Sequence, residues 1–388
     1  MQNISKFTDC YGCAVCATIC AKKAITMRIN NDGFYVPLVD FSKCVECRAC
    51  LEVCAFNSMR VVQDEEHSIS CYAVWSSDEE VQKKCTSGGV SFEIGRYLLS
   101  KGYSVIGCRY NPEKKDAEHF LVEDENQLKE TVGSKYIQSR TQPAFSQIRK
   151  GQKYLITGTP CQIDSLRRYV RRRKMEDDVV LLDFFCHGVP SMLMWNKYVK
   201  ELEQRIGGFD NIVWRDKETG WHDSWVMKVQ GRYSSWFSKG DLFYKMFLGD
   251  RCLSKACYKN CKYKYDKSAA DIRIGDLWGS VYANNEDGVN GVVCFTEKGE
   301  HLLKEMSSLL HVDPSTLEIV GESQMKKCAH QPISYSYVMK HLKLDTPLSH
   351  IHKTASRIEL LERIPRKLNY YIRRLPSKLS EVIKKGLL

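Results

Sequence analysis

Two runs of cysteines near the start of the chain constrain it most, because both have the spacing C-x2-C-x2-C-x3-C. The first run is Cys10, Cys13, Cys16 and Cys20, and the second is Cys44, Cys47, Cys50 and Cys54. Three thiolates on a tight turn bind three corners of an iron–sulfur cube, and the fourth ligand comes from elsewhere in the chain. The spacing therefore predicts two [4Fe-4S] clusters in a ferredoxin-like domain over residues 1–66.

The fourth cysteine of each run is expected to bind the other cluster, as it does in two-cluster ferredoxins. Cys54 then completes the site of the first run, and Cys20 completes the site of the second. Zinc, in a protein that serves only interactions, is the alternative, but structural zinc sites usually present paired C-x2-C knuckles. Ferredoxin-type runs usually end in Cys-Pro, whereas Ala21 and Ala55 follow here. This difference leaves the ligands themselves intact.

The remaining composition is that of an ordinary globular protein of 388 residues, 18 of them cysteines. No apolar run approaches the roughly 18–20 residues that a membrane span needs, and the metal-ligand spacing of the cysteines argues against a disulfide framework. We therefore expect a reduced, cytoplasmic protein. Of the net charge of +11, residues 353–388 carry +7, from ten Lys and Arg against three Glu. The rest of the chain is nearly neutral, so we expect no nucleic-acid partner.

The basic segment 353–388 also has apolar residues at near-helical spacing. Such a segment can lie on an anionic membrane surface, which would place the protein peripherally at the inner face of the membrane. The alternative is a helical hairpin that packs on the body of the protein and keeps its charged face in water.

Beyond about residue 67 the pattern changes to strands that alternate with helices, which is typical of βαβ units. We predict helices over 90–100, 142–150, 162–173 and 191–205, strands over 104–109, 154–157 and 179–185, and a β-meander over 211–238. The predicted fold class is α+β and α/β, with a mixed α/β body after the ferredoxin-like domain. We divide the chain into residues 1–66, two parts of the body at 67–206 and 207–345, and a basic helical tail at 346–388.

Four further cysteines lie in loops of the predicted body, where α/β folds bind ligands. Cys161 and Cys186 follow neighbouring strands, in GTPCQ and DFFCHGVPS, and Cys257 and Cys261 share one later loop. A third cluster is one hypothesis for these residues, and four unrelated buried cysteines are the alternative. His187, next to Cys186, has either a structural role or a role as an acid.

Two other segments have the chemistry of a phosphate or dinucleotide site. CTSGG at residues 85–89 directly precedes a predicted helix, so its amides and the helix dipole suit a phosphate. Capping of that helix by Ser87 is the alternative. GSKYIQS at residues 133–139 combines a glycine, a cation, an aromatic ring and hydrogen-bonding groups. A plain surface loop is the alternative there.

Five motifs occur in order along the chain, namely CTSGG, GSKYIQS, GTPCQI, FCHGVPS and ADIRIGDLWG. With them, about residues 1–345 resemble the β-subunit family of the coenzyme F420 (deazaflavin) hydrogenases and dehydrogenases. The resemblance implies FAD beside a [4Fe-4S] cluster that is supplied with electrons through ferredoxin-type clusters. The flavin contacts that it implies are Ser87, Gly88, Gly89, Lys135, Tyr136 and Ser139.

The same resemblance implies a set of ligands for the body cluster. The ligands are Cys161, Cys186, Cys257 and Cys261. The last pair is usually C-x2-C in the family but is C-x3-C here, so Cys252 is kept as a substitute for one of the two.

The expected function is that of an iron–sulfur flavoprotein oxidoreductase that passes electrons from ferredoxin-type clusters to FAD and on to a small-molecule substrate. Surface-polysaccharide metabolism is one setting for this chemistry. The alternatives are a non-catalytic electron-transfer subunit of a larger redox complex and a true deazaflavin oxidoreductase. The expected partners are the substrate and an external electron donor, such as ferredoxin or a partner redox subunit. The sequence assigns no catalytic residue.

Overall fold

The computed structural model describes residues 2–63 and 67–360, and its largest element is a nine-stranded mixed sheet. The strands are β1 (Ile25–Ile29), β2 (Tyr35–Val39), β3 (Ser70–Ser76), β4 (Ser104–Asn111), β5 (Asp116–Val122), β6 (Ser139–Arg140), β7 (Tyr154–Thr157), β8 (Val179–Phe184), β9 (Val213–Arg215), β10 (Trp225–Val229), β11 (Tyr233–Trp236), β12 (Ile272–Asp276), β13 (Asn290–Cys294) and β14 (Leu310–Ser315).

The helices surround this sheet and connect its strands. They are α1 (Val15–Ile19), α2 (Ala49–Glu52), α3 (Glu79–Lys84), α4 (Val90–Ser100), α5 (Glu125–Lys129), α6 (Gln142–Phe145), α7 (Pro160–Arg173), α8 (Met192–Ile206), α9 (Leu242–Phe247), α10 (Lys255–Lys259), α11 (Glu297–Glu305), α12 (Leu317–Val320) and α13 (Tyr335–Leu342). Short 3-10 helices cover Ile4–Lys6, Ala55–Asn57 and Ser280–Tyr282, and residues 348–360 are helical as well.

The strands of the large sheet lie in the order β14-β3-β13-β12-β8-β7-β4-β5-β6. At its centre β4, β7, β8 and β12 run parallel to one another. Antiparallel strands extend the sheet on both sides, with β13, β3 and β14 on one side and β5 on the other. Because the carboxyl ends of parallel strands meet at one edge of a sheet, the loops after β7 and β8 lie together there.

Most of the predicted elements of the body are present, and the mixed α/β fold class is confirmed. α4 and β7 have the predicted bounds, and the meander is the antiparallel sheet β11-β10-β9. The helix predicted over 142–150 ends instead at Phe145, because the Ser146 hydroxyl bonds back to the Pro143 carbonyl and the chain turns. The cysteine loop contains α10, which begins where Ser254 accepts the amide of Ala256 at 3.2 Å.

The N-terminal region packs directly on the body. It has a small core of its own around Ile4, while Val15 and Val53 are fully buried among side chains of the body. The amide of Ala55 donates to Ser165 Oγ in α7 at 3.2 Å. These contacts hold the two cysteine runs against the amino-terminal half of α7.

The beginning of the predicted tail packs on the body too. Ile351 and Ala355 are fully buried, and Arg251 pairs with Glu359 at 2.7 Å. Residues 361–388, which hold most of the predicted basic tail, lie outside the described residues. Within residues 2–63 and 67–360, no helix is long and apolar enough to cross a bilayer.

Candidate functional site

The two N-terminal cysteine runs fold alike, because residues at matching positions adopt the left-handed conformation. Gly12 (φ 67°) and Glu46 (φ 51°) each lie two residues after the first cysteine of their run. Ala14 (φ 62°) and Arg48 (φ 64°) each lie four residues after it and begin a short helix. Left-handed residues turn the backbone back on itself, so each run wraps its thiols around one point.

The fourth cysteine of each run lies with the other run. Burial is the main cause that raises the pKa of Cys10 to about 12, and the nearby thiols of Cys13 and Cys54 contribute to this rise. Burial also raises the pKa of Cys50, and here the neighbouring thiols are Cys47 and Cys20. The structure therefore brings Cys54 to the first run and Cys20 to the second, in the crossed arrangement predicted from the spacing.

We name these two groups by their position in the protein. The middle set is Cys10, Cys13, Cys16 and Cys54, and the outer set is Cys20, Cys44, Cys47 and Cys50. Backbone amides already point at thiols in both sets, since Gly12 N lies 3.5 Å from Cys10 Sγ and Ala24 N lies 3.3 Å from Cys20 Sγ. Such hydrogen bonds to sulfur are one of the means by which proteins tune cluster potentials.

The four later cysteines come together at the edge of the large sheet and form the body set, which is Cys161, Cys186, Cys257 and Cys261. Burial is the main cause of the raised pKa of Cys161, and the thiols of Cys186 and Cys257 add to it. Burial likewise raises the pKa of Cys257 to about 12, with Cys186 and Cys261 as its thiol neighbours. The four residues are thus neighbours in space, although they are up to 100 positions apart in the sequence.

Two polar residues lie next to the body set, and Cys252, the cysteine kept as a substitute ligand, lies in the apolar core. Lys264 donates to the carbonyl of His187 at 3.0 Å, and its charge lowers the pKa of Cys186 against the larger effect of burial. Thr159 Oγ1 lies 3.2 Å from Cys161 Sγ. Cys252 is fully buried in the apolar core.

We call the three sets a row, because the middle set has a thiol near each of the other two sets. The thiol of Cys50 in the outer set is close enough to raise the pKa of Cys54 in the middle set. At the other end of the middle set, Cys13 is a thiol neighbour of Cys161. Tyr11 joins the same two regions, because its hydroxyl donates to the carbonyl of Asn260 next to the body set. Cys47, in the outer set, is exposed at the surface.

The donor chemistry of each set fits a [4Fe-4S] cluster. Within residues 2–63 and 67–360, no three Cys, His, Asp or Glu side chains are close enough to hold one metal ion. A cubane takes each thiolate on a different iron atom, so its ligands stand further apart than the ligands of a single ion. Four thiolates without histidine are the ligand set that such clusters use.

The CTSGG turn is held in place mainly by internal contacts. Ser87 does not cap α4, because its hydroxyl donates to the carbonyl of Val289 at 2.8 Å. Gly89 precedes the helix with a φ of 84°. At Gly88 a Cβ atom would lie only 2.6 Å from the carbonyl oxygen of Val74. Close backbone packing therefore requires glycine at this position.

The GSKYIQS segment is likewise anchored by the protein itself. Lys135 Nζ donates to the carbonyls of Thr131 and Val132, both at 2.9 Å, and burial lowers the pKa of this lysine to about 8. The Tyr136 ring stacks on Trp225 with centroids 4.9 Å apart. Ser139 Oγ accepts a hydrogen bond from the side-chain amide of Gln162 in α7, with 3.4 Å between the two atoms.

Sequence reasoning missed several residues that line the same region. Arg215 donates to the Tyr136 hydroxyl at 3.3 Å and pairs with Asp276 at 3.0 Å. Lys217 donates to the carbonyl of Ser87 at 3.1 Å, and burial lowers its pKa to about 8. Of these residues, only Asp276 lies in a motif that the sequence analysis identified, namely GDLWG. Arg215, Lys217 and Trp225 lie in the meander, where nothing local distinguishes them.

Contacts of Ser87, Tyr136, Arg215 and Lys217 bring the CTSGG turn, the GSKYIQS segment and the meander around one polar region, whereas Ser139 contacts α7. Lys217 and Lys135 both lie close enough to Cys85 to lower the pKa of its thiol, which burial raises to about 11. Two cavities of about 190 and 440 Å³ are lined by other residues, among them Tyr198 and Arg232.

Comparisons with known proteins identify the families that the chain resembles. Two family models describe the two ends of the beta chain of coenzyme F420 hydrogenase/dehydrogenase. The model of its N-terminal part matches residues 71–145, and the model of its C-terminal part matches residues 151–316. A "4Fe-4S dicluster domain" model matches residues 9–58, which contain both cysteine runs. A search of curated protein sequences finds no match.

A search of solved structures finds a chain of the F420-reducing [NiFe] hydrogenase complex from Methanosarcina barkeri. It is 16% identical, with a TM-score of 0.47, and the alignment covers 76% of this chain and 94% of that chain.

Proposed function

Because the chain belongs to the coenzyme F420 hydrogenase/dehydrogenase beta-subunit family, we propose that it is an iron–sulfur flavoprotein oxidoreductase. The family and the dicluster domain already make it an iron–sulfur redox protein that transfers electrons. The proposal adds that electrons pass from the ferredoxin-type clusters to FAD and then to a small-molecule substrate. Clusters carry single electrons, and a flavin converts them into the two-electron chemistry that organic substrates need.

The observation that carries the proposal is the row formed by the outer, middle and body sets. Thiols of neighbouring sets lie close enough for their charges to interact, Cys50 with Cys54 and Cys13 with Cys161. A row of this kind leads from an exposed cysteine, Cys47, to the edge of the sheet where α/β folds bind ligands. The protein would thus supply the positions of the carriers, and the body set would be the last carrier before the flavin.

We propose that the flavin lies in the polar region around the CTSGG turn. Gly89 begins α4, so the positive end of that helix dipole suits the phosphates of FAD. Lys135 and Lys217 add two half-buried cations, which would stabilise negative charge on a reduced ring. Tyr136 offers an aromatic face that Trp225 already orients. In this proposal Ser87, Gly88 and Ser139 complete the contacts.

A second candidate function is that of an electron-transfer subunit that works only with a partner enzyme. The internal bonds of two predicted flavin contacts favour it. The Ser87 hydroxyl and the Lys135 ammonium group are both engaged within the protein. In this case the chain would hold clusters but would not turn over a substrate alone.

Iron and flavin content of anaerobically purified protein separates these functions. The proposal predicts about twelve iron atoms and one FAD per chain, whereas about eight iron atoms and no flavin would overturn it. Cys186→Ala should lose about four iron atoms and leave the dicluster domain intact. With flavin present, reduced ferredoxin is then tested with the deazaflavin coenzyme and with nucleotide-linked sugars as two distinct probes of the substrate.

The proposal also includes a membrane contact for the basic segment 353–388, although its first residues pack on the body. Deletion of this segment should abolish binding to vesicles that contain anionic lipid and leave the iron content unchanged. Equal binding of the full chain and the truncated chain would contradict the membrane contact.

A further inference from the structure

A fifth thiol lies beside the body set. Cys328 is exposed, and its Sγ donates to the carbonyl oxygen of Cys261 at 3.1 Å. Partial burial raises the pKa of Cys328, and the neighbouring thiol of Cys261 raises it further, both by its charge and by a hydrogen bond between the two side chains. The Cys328 sulfur therefore lies against the backbone of Cys261, although 67 positions separate the residues.

The segment that carries Cys328 is anchored on both sides of it. Lys326 lies over the ring of Tyr265 at 4.9 Å, and Gln324 donates to the carbonyl of Asp276 at 2.7 Å. On the other side Ala329 is buried in the core. The position of the Cys328 thiol is thus set by packing and hydrogen bonds of its neighbours.

Cys261 is the member of the body set at which an exchange of ligand is easiest. It follows the end of α10 at Asn260, whereas Cys257 lies within that helix. Cys261 is also the member whose backbone carbonyl accepts from Cys328 in the 324–329 segment. Lys264 lies close to both Cys186 and Cys328. Its charge lowers the pKa of each thiol, against the larger effect of burial.

We propose that Cys261 and Cys328 are interchangeable ligands for one corner of the body cluster. The proposal rests on the third cluster of the proposed function. In the exchange one iron–thiolate bond breaks and another forms, and the departing thiolate takes the proton that the incoming thiol releases. No electron moves. Cys328 lies outside the residues 151–316 that the family model matches.

The test measures iron content and the electron paramagnetic resonance spectrum of the reduced protein in alanine variants. Wild type, Cys261→Ala and Cys328→Ala should each hold about twelve iron atoms, and the double variant about eight. The body-cluster signal of Cys261→Ala should be present but shifted, because a different cysteine completes the cluster. Cys186→Ala is the control that loses the cluster, and Cys252→Ala is the control that keeps it.

The outcomes separate this proposal from the one on which it rests. About eight iron atoms in Cys261→Ala alone, or in Cys328→Ala alone, would mean that only one of the two is a ligand and would overturn the exchange. About eight in the wild type would overturn the third cluster itself. Circular dichroism and gel filtration of each variant identify any loss that comes from misfolding, and such a variant is replaced by its serine counterpart.

Discussion

At the scale of single residues, the crossing of Cys20 and Cys54 is open to a direct test. In a Cys10→Ala/Cys13→Ala background, the middle cluster is absent and about eight iron atoms should remain. Adding Cys54→Ala should then cost no further iron, because Cys54 belongs to the same cluster. Adding Cys20→Ala should instead remove the outer cluster and leave about four iron atoms.

The opposite result, with iron lost on adding Cys54→Ala and retained on adding Cys20→Ala, would mean that each run holds its own cluster. The two triple variants are matched in the number of cysteines removed, so a general loss of stability would lower the iron content of both alike.

His119 in β5 should make the stability of the fold depend on pH. Its Nε2 lies 3.0 Å from the carbonyl oxygen of Thr157, and burial lowers the pKa of the ring from 6.5 to about 4. Above pH 6.5 the ring is neutral in both states. Between pH 6.5 and 4 only the unfolded chain binds the proton. The free energy of unfolding should therefore decrease as the pH is lowered through this range, by about 3 kcal/mol in total.

His119→Gln, which keeps a donor for the Thr157 carbonyl, should lack this part of the pH dependence. The measurement is urea unfolding of both proteins at several pH values, compared as a difference. Parallel curves for wild type and variant would show that the ring is not the responsible group.

At the scale of elements, one buried ion pair joins β8 to β12. Arg273 and Asp183 face each other in the parallel register, both fully buried, with Nε and Oδ1 2.7 Å apart. Arg273→Met leaves a buried carboxylate without its partner and should lower the free energy of unfolding by about 3–5 kcal/mol. Asp183→Leu/Arg273→Met removes both charges and should recover most of this loss in a urea titration.

If the single and double variants are equally unstable, the loss in free energy of unfolding comes from the other hydrogen bonds of Arg273 rather than from its ion pair with Asp183. Arg273 also donates to the carbonyls of Tyr265 and Lys267, both at 3.0 Å. These bonds hold the segment after the body set.

Local elements were predictable where a short stretch of sequence decides them. α4 follows from apolar spacing closed by Gly102, and β7 from a short buried apolar run. The two N-terminal cysteine runs were predictable because their metal-ligand spacing is local, whereas the body set was expected only from its place after neighbouring strands and from the family resemblance. The contacts of Tyr136 were not, since Arg215 and Trp225 lie about 80–90 positions away in the sequence. Cys328 was missed for the same reason, because only the fold brings it to Cys261.

At the scale of the whole molecule, the row of sets predicts a direction of electron transfer for the proposed function. The outer set has the exposed Cys47, the middle set lies between, and the body set is joined to the middle set through Cys13. A protein donor such as ferredoxin should therefore dock at the outer set. Its electrons should reach the body set only through the middle cluster.

Cys16→Ala removes a ligand of the middle cluster and should stop this transfer. In the variant, reduced ferredoxin should still reduce the outer cluster, while reduction of the body cluster should fall to the background rate. A small reductant such as reduced methyl viologen needs no docking surface and should still reduce the body cluster.

The matched control is Cys71→Ala, which changes a buried cysteine of β3 away from the sets and should leave transfer normal. Normal reduction of the body cluster by ferredoxin in Cys16→Ala would instead mean that the donor docks directly beside the body set, and the row would then not be the route.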